Sequence, residues 1–238
     1  MVKKEQLYAG KTKDLYATDD PQLIILSYRD DVSALDGQKK GTIAGKGIVN
    51  NRVSNFLMHM LSEQSIPAHF VQELSERETL VTKLEILPLK VIVRNISAGS
   101  YVQRSGAAEG TALAEPVIEF RHKNDETGDP LISESRAMEL KLVGPNELER
   151  IKMLAFRIND VLKAYFATIN VDLVDMKLEF GCLMGDFIVL ADEISPDTCR
   201  LWDKTTHEKL YKERFCEDLG GGAETYNEIM YRIFGEKC

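Results

Sequence analysis

Apolar residues recur every three or four positions over residues 146–166, and this spacing predicts one long amphipathic helix. The positions that share its apolar face are Leu148, Ile151, Leu154, Ile158, Val161, Leu162, Tyr165 and Phe166. Asn146 follows Pro145 and is the expected N-cap of this helix. The same spacing predicts an earlier helix over residues 47–65 and a final helix over residues 222–234.

Short apolar runs predict strands in the first half of the chain. Residues 23–26 form one such run, and residues 80–87 and 89–94 form two more on either side of Pro88. Because proline cannot donate a hydrogen bond to a β-ladder, Pro88 suits a connector between two strands. Residues 104–139 lack periodicity and are rich in Gly, Asp, Glu and Ser, so they predict a long loop or lid.

Pro88 also marks the expected boundary between two lobes. A chain of 238 residues is long enough for one large domain or for two packed lobes. We assign residues 1–87 to an N-terminal lobe, which is mostly strands, and residues 88–238 to a C-terminal lobe, which carries the long helix.

Charged residues alternate with apolar ones along the strand predicted over residues 171–180. Successive side chains of a strand point to opposite faces. Asp175, Lys177 and Glu179 are therefore expected to share one face of the sheet.

A hairpin is expected to bring a further acid to this face. The next predicted strand covers residues 187–193, and a two-residue turn in either of two registers places Asp192 opposite Lys177 or Glu179. Two carboxylates at that distance repel each other unless a cation lies between them, which predicts Mg²⁺ at Glu179 and Asp192. A ladder of ion pairs on a solvated sheet face explains the same pattern, and the residues alone leave both readings open.

The charge balance excludes one class of partner. The chain has 30 Lys and Arg against 38 Asp and Glu, a net charge of −8, and the basic residues are scattered. A nucleic-acid-binding surface is therefore not expected. No segment is apolar and long enough to span a membrane, and no signal-peptide pattern precedes the first strand, so we expect a cytoplasmic protein. Its four cysteines lack metal-ligand spacing and are expected to be free thiols.

Two lysines near Gly10 are candidate phosphate ligands. Lys11 and Lys13 are two positions apart, which on a strand would put both ammonium groups on one face. The segment is not a Walker A loop, because Glu5 stands where that motif needs glycine. Lysines on a solvated edge strand are the alternative interpretation.

Two further clusters are suited to binding anions. Arg94 precedes a Ser-Ala-Gly-Ser turn that ends at Ser100, and such a turn with an arginine can bind a phosphomonoester. Asp197 and Arg200 lie in a loop close in sequence to Asp192, which favours contact with a substrate. A tight turn beside a surface arginine is the plainer interpretation of the first cluster.

Six motifs together closely resemble the SAICAR synthetase (phosphoribosylaminoimidazole-succinocarboxamide synthase) family in its short bacterial form. They occur in the family's order over essentially the whole chain. These motifs are Tyr8-Ala-Gly-Lys-Thr-Lys13, Asp30-Asp-Val-Ser-Ala-Leu-Asp-Gly37, Gly45-Lys-Gly-Ile-Val-Asn-Asn51, Val93-Arg-Asn-Ile-Ser-Ala-Gly-Ser100, Asp175-Met-Lys-Leu-Glu-Phe-Gly181, and Asp192-Glu-Ile-Ser-Pro-Asp197 continuing through Arg200-Leu-Trp-Asp203. Two positions depart from the family's usual pattern, Thr12 in place of alanine and Lys90 in place of glutamate.

The resemblance implies an α+β fold with a kinase-like, antiparallel-sheet N-terminal lobe and ATP in the cleft between the lobes. It implies roles for three sets of residues. The resemblance assigns binding of the nucleotide and its Mg²⁺ to Lys11, Lys13, Leu87, Glu179 and Asp192. It assigns binding of the carboxyaminoimidazole ribonucleotide to Arg94, Ser100, Lys177 and Arg200. The candidate catalytic residues are Lys177, Asp36 and Asp197, with Asp175 a further candidate base.

The implied reaction joins carboxyaminoimidazole ribonucleotide to L-aspartate with ATP, through an acyl phosphate, and yields SAICAR, ADP and phosphate in purine biosynthesis. We expect a homo-oligomer, a dimer, without nucleic-acid or membrane partners. A small-molecule kinase with the same ATP and Mg²⁺ site is the alternative, since it shares the metal carboxylates and the lysine pair. A nucleotide-sensing module without catalysis is a further rival, which the many polar clusters on loops and strand ends disfavour.

Overall fold

The computed structural model describes residues 1–34, 39–124, 128–185, 187–210 and 222–235. Two compact units make up the chain. The first consists of the described residues of Met1–Leu84, Glu193–Asp197 and Leu210–Cys238, and the second consists of those of Glu85–Asp192 and Thr198–Lys209.

The first unit is built on a five-stranded antiparallel sheet with strand order β1-β2-β3-β7-β6. Its elements in chain order are β1 (Lys3–Ala9), β2 (Lys13–Thr18), β3 (Leu23–Tyr28), β4 (Asp31–Ala34), β5 (Lys39–Thr42), α1 (Lys46–Glu63), β6 (Phe70–Ser75) and β7 (Glu78–Thr82). Strands β4 and β5 pair as a separate ribbon. Helix α1 packs on β3, β6 and β7, and buries Val49, Val53, Leu57 and Leu61.

The second unit is built on a six-stranded antiparallel sheet with strand order β10-β9-β8-β11-β12, in which β13 also pairs with β11. Its elements are β8 (Glu85–Ile96), α2 (Ser100–Ser105), β9 (Ala112–His122), β10 (Leu131–Ile132), α3 (Glu134–Glu139), α4 (Pro145–Thr168), β11 (Val171–Leu183), β12 (Phe187–Ala191) and β13 (Cys199–Asp203). The last helix, α5 (Gly222–Phe234), belongs to the first unit and packs on α1.

One face of the second sheet packs against helix α4 and the other carries charged side chains. The alternation of side chains along strand β8 shows this difference. Val91 and Val93 are fully buried, and Asn95 exchanges two hydrogen bonds with Asn159 of α4 at 2.8 and 2.9 Å. The odd-numbered side chains of β8 therefore face α4. The even-numbered side chains, among them Lys90 and Arg94, lie on the opposite, charged face of the sheet.

Three local predictions need correction. Pro88 does not separate two strands but lies inside β8, where the register with β11 shifts between Glu179 and Gly181, so that the ladder tolerates the missing N–H. The expected loop over residues 104–139 contains the 11-residue strand β9 and the helix α3. The N-cap of α4 is Gly144, because Pro145 occupies the first helical position.

The α+β fold with antiparallel sheets is confirmed. The helices predicted from periodicity correspond to α1, α4 and α5. In the described residues, no helix is both long and apolar enough to cross a membrane. Cys182 and Cys199 are free thiols, as expected, while Cys216 and Cys238 lie outside the described residues. The assignment of nucleotide and substrate binding to separate lobes remains a prediction.

Candidate active site

Two arginines meet one carboxylate oxygen on the charged face of the second unit. Strand pairing sets Arg94 of β8 and Arg200 of β13 opposite Asp175 of β11. The Nη1 atoms of Arg94 and Arg200 each donate to Oδ2 of Asp175 at 2.6 Å. Burial raises the pKa of Asp175, and the positive charges of Arg200 and Arg94 oppose that rise. The two guanidinium groups therefore favour the ionised form of this carboxyl group.

Glu119 of β9 extends the same network. Its Oε2 accepts a hydrogen bond from Nε of Arg94 at 2.9 Å, and its Oε1 accepts one from Arg104. Three arginines and two carboxylates thus form one chain of contacts, with one positive charge in excess. Such a network suits an anionic ligand such as a phosphate or a carboxylate.

The turn before α2 lies directly against Arg200. Gly99 has φ +54° and ψ −135°, and a Cβ atom there would lie 2.7 Å from Nη2 of Arg200. Only glycine leaves room for the guanidinium group at this point. The next residue, Ser100, is exposed. The structure therefore brings together the predicted residues Arg94, Ser100 and Arg200.

Glu179 forms a second centre on the charged face. It is 5% exposed, and its Oε2 accepts a hydrogen bond from Nζ of Lys123 at 2.6 Å. Nζ of Lys177 lies 3.9 Å from Oε1. Lys177 and Glu179 share one face of β11, as the alternation predicted. The Lys123 side chain is 41% exposed, so one of the two ammonium groups beside this buried acid reaches solvent.

The predicted registers of the hairpin are wrong. Glu179 pairs with Ala191, and three residues, Met184 to Asp186, connect β11 to β12. Met184 and Gly185 have positive φ angles of +52° and +95°. In this register alternation would set Asp192 opposite Leu178. However, β12 ends at Ala191 and Asp192 has φ +61°, so alternation does not place the Asp192 side chain.

The predicted lysine pair in the first unit is also arranged differently. Only Lys13 begins a strand, whereas exposed Lys11 lies in the turn between β1 and β2. Gly10 closes this turn with a hydrogen bond from its N–H to the carbonyl of Lys13 at 2.9 Å, and a Cβ at Gly10 would lie 2.5 Å from that carbonyl oxygen. Nζ of Lys13 donates to Oε1 of Glu193 at 2.8 Å.

Asp197, also in the first unit, contacts two residues that the sequence did not indicate. Nζ of Lys46 donates to its Oδ2 at 2.5 Å, and the hydroxyl of Tyr226 donates to its Oδ1 at 2.6 Å. Lys46 is 0% exposed. The carboxylate of Asp197, whose side chain is 5% exposed, is therefore held from both sides.

Comparison with known proteins identifies the chain. The sequence model of the SAICAR synthetase family matches residues 6–233. Phosphoribosylaminoimidazole-succinocarboxamide synthase of Lachnoclostridium phytofermentans is 49% identical over 233 residues, which cover 98% of this chain and 99% of that protein. The chain belongs to the SAICAR synthetase family. Membership makes it an ATP-dependent ligase of purine biosynthesis.

Solved structures of SAICAR synthetases have the same fold. The synthase of Ehrlichia chaffeensis superposes with a TM-score of 0.95 at 41% identity, and the match covers 98% of this chain and 100% of that one. A SAICAR synthetase in complex with ADP also gives a TM-score of 0.95, at 42% identity over 98% of this chain and 99% of that one. That SAICAR synthetase therefore binds an adenine nucleotide.

The remaining predicted site residues have varied positions in this family member. Leu87 is buried in β8, and Asp36 lies outside the described residues. Lys90, which departs from the family's pattern, forms an ion pair with Asp129. The reversed charge at position 90 is thus balanced within the second unit.

Five residues that contact the predicted site residues were not indicated by the sequence: Lys46, Glu119, Lys123, Glu193 and Tyr226. The alternation of Glu119 with Arg121 along β9 was a usable signal, but the Gly- and acid-rich surroundings concealed the strand. Lys46 and Tyr226 gave no local signal, because their shared partner is distant in the chain.

Proposed function

We propose that the chain joins carboxyaminoimidazole ribonucleotide to L-aspartate at the expense of ATP, forming SAICAR, ADP and phosphate. The observation that carries this proposal is the network around Asp175, in which three arginines outnumber two carboxylates on one sheet face of a SAICAR synthetase family member. Both the 5′-phosphate and the carboxylate of the ribonucleotide are anions that this network suits.

The ribonucleotide is assigned to the second unit. Arg94 and Arg200 would hold its 5′-phosphate together with the hydroxyl of Ser100. Lys177, whose side chain is 35% exposed, would hold the reacting carboxylate. The close approach of Arg200 to Gly99 supports this assignment, because it places a guanidinium group at the turn that carries Ser100.

ATP is assigned to Lys11, Lys13 and Leu87, with the two lysines on its phosphates. Lys13 begins β2 directly after the turn closed by Gly10, and its ammonium group is held by Oε1 of Glu193. The complex of a family member with ADP supports nucleotide binding in general.

Mg²⁺ is assigned to Glu179 and Asp192, and the donor set fits that ion. Mg²⁺ takes one or two protein carboxylates and completes its shell with waters and phosphate oxygens. Glu179 is a buried carboxylate flanked by two ammonium groups, and that of Lys123 can turn into solvent when another cation replaces it. The ion would neutralise charge on the phosphate oxygens of ATP.

The proposed chemistry proceeds in two transfers. A carboxylate oxygen of the ribonucleotide attacks the γ-phosphorus of ATP, and ADP leaves. The amine of L-aspartate then attacks the carbonyl carbon of this acyl phosphate, and inorganic phosphate leaves as the amide forms. Lys177 would stabilise the negative charge that spreads over the transferring group. Asp36 and Asp197 are the proposed acceptors for the amine proton.

Dependence on L-aspartate tests this function. We expect ADP release in the presence of ATP, Mg²⁺ and carboxyaminoimidazole ribonucleotide to require L-aspartate for sustained turnover, with SAICAR formed in equal amount. The measurement couples ADP release to product chromatography. Undiminished turnover without L-aspartate, together with a stable phosphorylated product, would instead assign the chain as a small-molecule kinase.

A further inference from the structure

The segment Glu193–Asp197 of the first unit is held along its length by its own side chains. The hydroxyl of Ser195 donates to Oε2 of Glu193 at 2.5 Å and accepts a hydrogen bond from the backbone N–H of Asp197 at 3.1 Å. The other carboxylate oxygen of Glu193 accepts from Lys13. The position of Asp197 is therefore linked through Ser195 to that of Lys13.

Helix α1 anchors the segment at two points. Its first residue, Lys46, contacts Asp197, and the hydroxyl of Ser54 accepts a hydrogen bond from the N–H of Ile194 at 3.2 Å. Lys46 and Ser54 are about two helical turns apart and lie on the same face of the helix. The segment thus runs along one side of α1.

Lys46 cannot itself touch a substrate, because it is 0% exposed. A buried ammonium group is tolerated only beside an ionised partner, and a carboxylate on so short a contact is held in one orientation. The ion pair therefore sets the direction of Asp197, and Lys46 itself does not take part in chemistry.

Tyr226 completes the arrangement from the last helix. Its hydroxyl donates a hydrogen bond to Oδ1 of Asp197, the carboxylate oxygen that Lys46 does not contact. Helices α1 and α5 therefore each bind one oxygen of Asp197. The aromatic ring is itself buried, which limits its own movement.

We propose that Lys46 and Tyr226 are positioning residues for the ligase reaction. They hold the carboxylate of Asp197 in one orientation. This inference rests on the proposed function, in which Asp197 takes part in catalysis.

Tyr226→Phe tests the proposal with the smallest disturbance, since it removes one hydroxyl. We expect kcat to fall about tenfold or more, because a displaced catalytic group is costly in rate, while KM for ATP stays within about twofold and the thermal midpoint shifts by only a few degrees. Tyr231→Phe is the matched control. It makes the same change on the same helix, at an exposed side chain with no hydrogen bond among the described residues, and should leave kcat at the parent value.

Variants of Lys46 separate positioning from charge. Lys46→Arg keeps the charge but changes the shape, so we expect a folded protein with lowered kcat. Lys46→Met removes the charge, and its kcat should be lower still, so that arginine gives partial rescue. If the methionine variant does not fold, Tyr226→Phe and Lys46→Arg still decide the question. Parent-level kcat in both of these variants overturns the proposal.

Asp197→Asn distinguishes the failure of this inference from that of the proposed function. If Asp197→Asn keeps the kcat of the parent, Asp197 is not catalytic, and both its proposed role and the positioning inference fall. If Asp197→Asn is impaired but Tyr226→Phe and Lys46→Arg are not, only the positioning inference falls. Loss of kcat in all three, with Tyr231→Phe unaffected, supports it.

Discussion

Glu179 in the second unit and Asp197 in the first both have little-exposed side chains, and each carboxylate pairs with a lysine. They differ in whether that lysine can move away. Each has a side chain about 5% exposed and lies within 2.6 Å of a lysine Nζ atom. Lys123, beside Glu179, is 41% exposed, whereas Lys46, beside Asp197, is fully buried. The exposed ammonium group of Lys123 can move away from Glu179 into solvent, whereas the buried ammonium group of Lys46 cannot move away from Asp197. Glu179 is therefore suited to exchange its partner for a metal ion, and Asp197 to stay fixed.

The largest expected consequence of this difference concerns stability. Lys46→Met removes the fully buried ammonium group that contacts the carboxylate of Asp197, and we expect it to lower the free energy of unfolding by about 3–5 kcal/mol. Lys123→Met should lower it by about 1 kcal/mol or less, because Lys177 remains beside Glu179. Urea denaturation followed by circular dichroism measures both. Equal losses in the two variants would show that exposure of the lysine does not separate the pairs.

The same two acids show how far the sequence could predict the site. Alternation along β11 was enough to put Lys177 and Glu179 on one face, because the period of a strand is fixed by its geometry. The prediction of the hairpin register failed, because one more residue in the connection moves every following side chain to the other face of the sheet. Alternation could not place the side chain of Asp192, since this residue has a left-handed conformation and follows the end of the strand.

The pair of Lys46 and Asp197 had no local sequence signal at all. The two residues are separated by 151 positions, and a lysine at the start of a helix is ordinarily solvated. Its burial depends on how α1 packs against the segment 193–197, which periodicity does not report. Strand β9 was missed for another reason: Glu119 and Arg121 alternate with Ile118 and Phe120, but the Gly- and acid-rich sequence around the strand concealed this pattern.

Nucleotide binding offers a sharper test of the proposal that Glu179 holds Mg²⁺. Glu179→Gln removes the charge that would hold Mg²⁺, and we expect the affinity for Mg²⁺-ATP to fall about tenfold with little loss of stability. Titration calorimetry with a non-hydrolysable ATP analogue and Mg²⁺ measures the effect. Glu149→Gln is the control, since that side chain is exposed on α4. Equal affinity in the Glu179 variant and the parent would contradict the proposed metal role.

For a third acid, Asp30, we expect the smallest effect on stability. Its carboxylate binds both Nη atoms of Arg77 at 2.7 and 3.0 Å and accepts hydrogen bonds from the N–H groups of Gly45 and Gly47 at the start of α1. The guanidinium group of Arg77 and these N–H groups lower the pKa of Asp30 below its usual 3.8.

Because the folded-state pKa is depressed, the stabilisation from Asp30 is present above the unfolded-state value and is lost as the pH falls through the folded-state value. The loss should therefore be confined to pH below about 4 and should amount to about 1 kcal/mol or less for this partly exposed group. Urea denaturation of the parent and of Asp30→Asn across that range measures it. The variant should lose this part of the pH dependence and should be less stable than the parent at neutral pH. A difference between the two proteins that is the same at pH 3 and pH 7 would mean that the charge of Asp30 contributes nothing to stability.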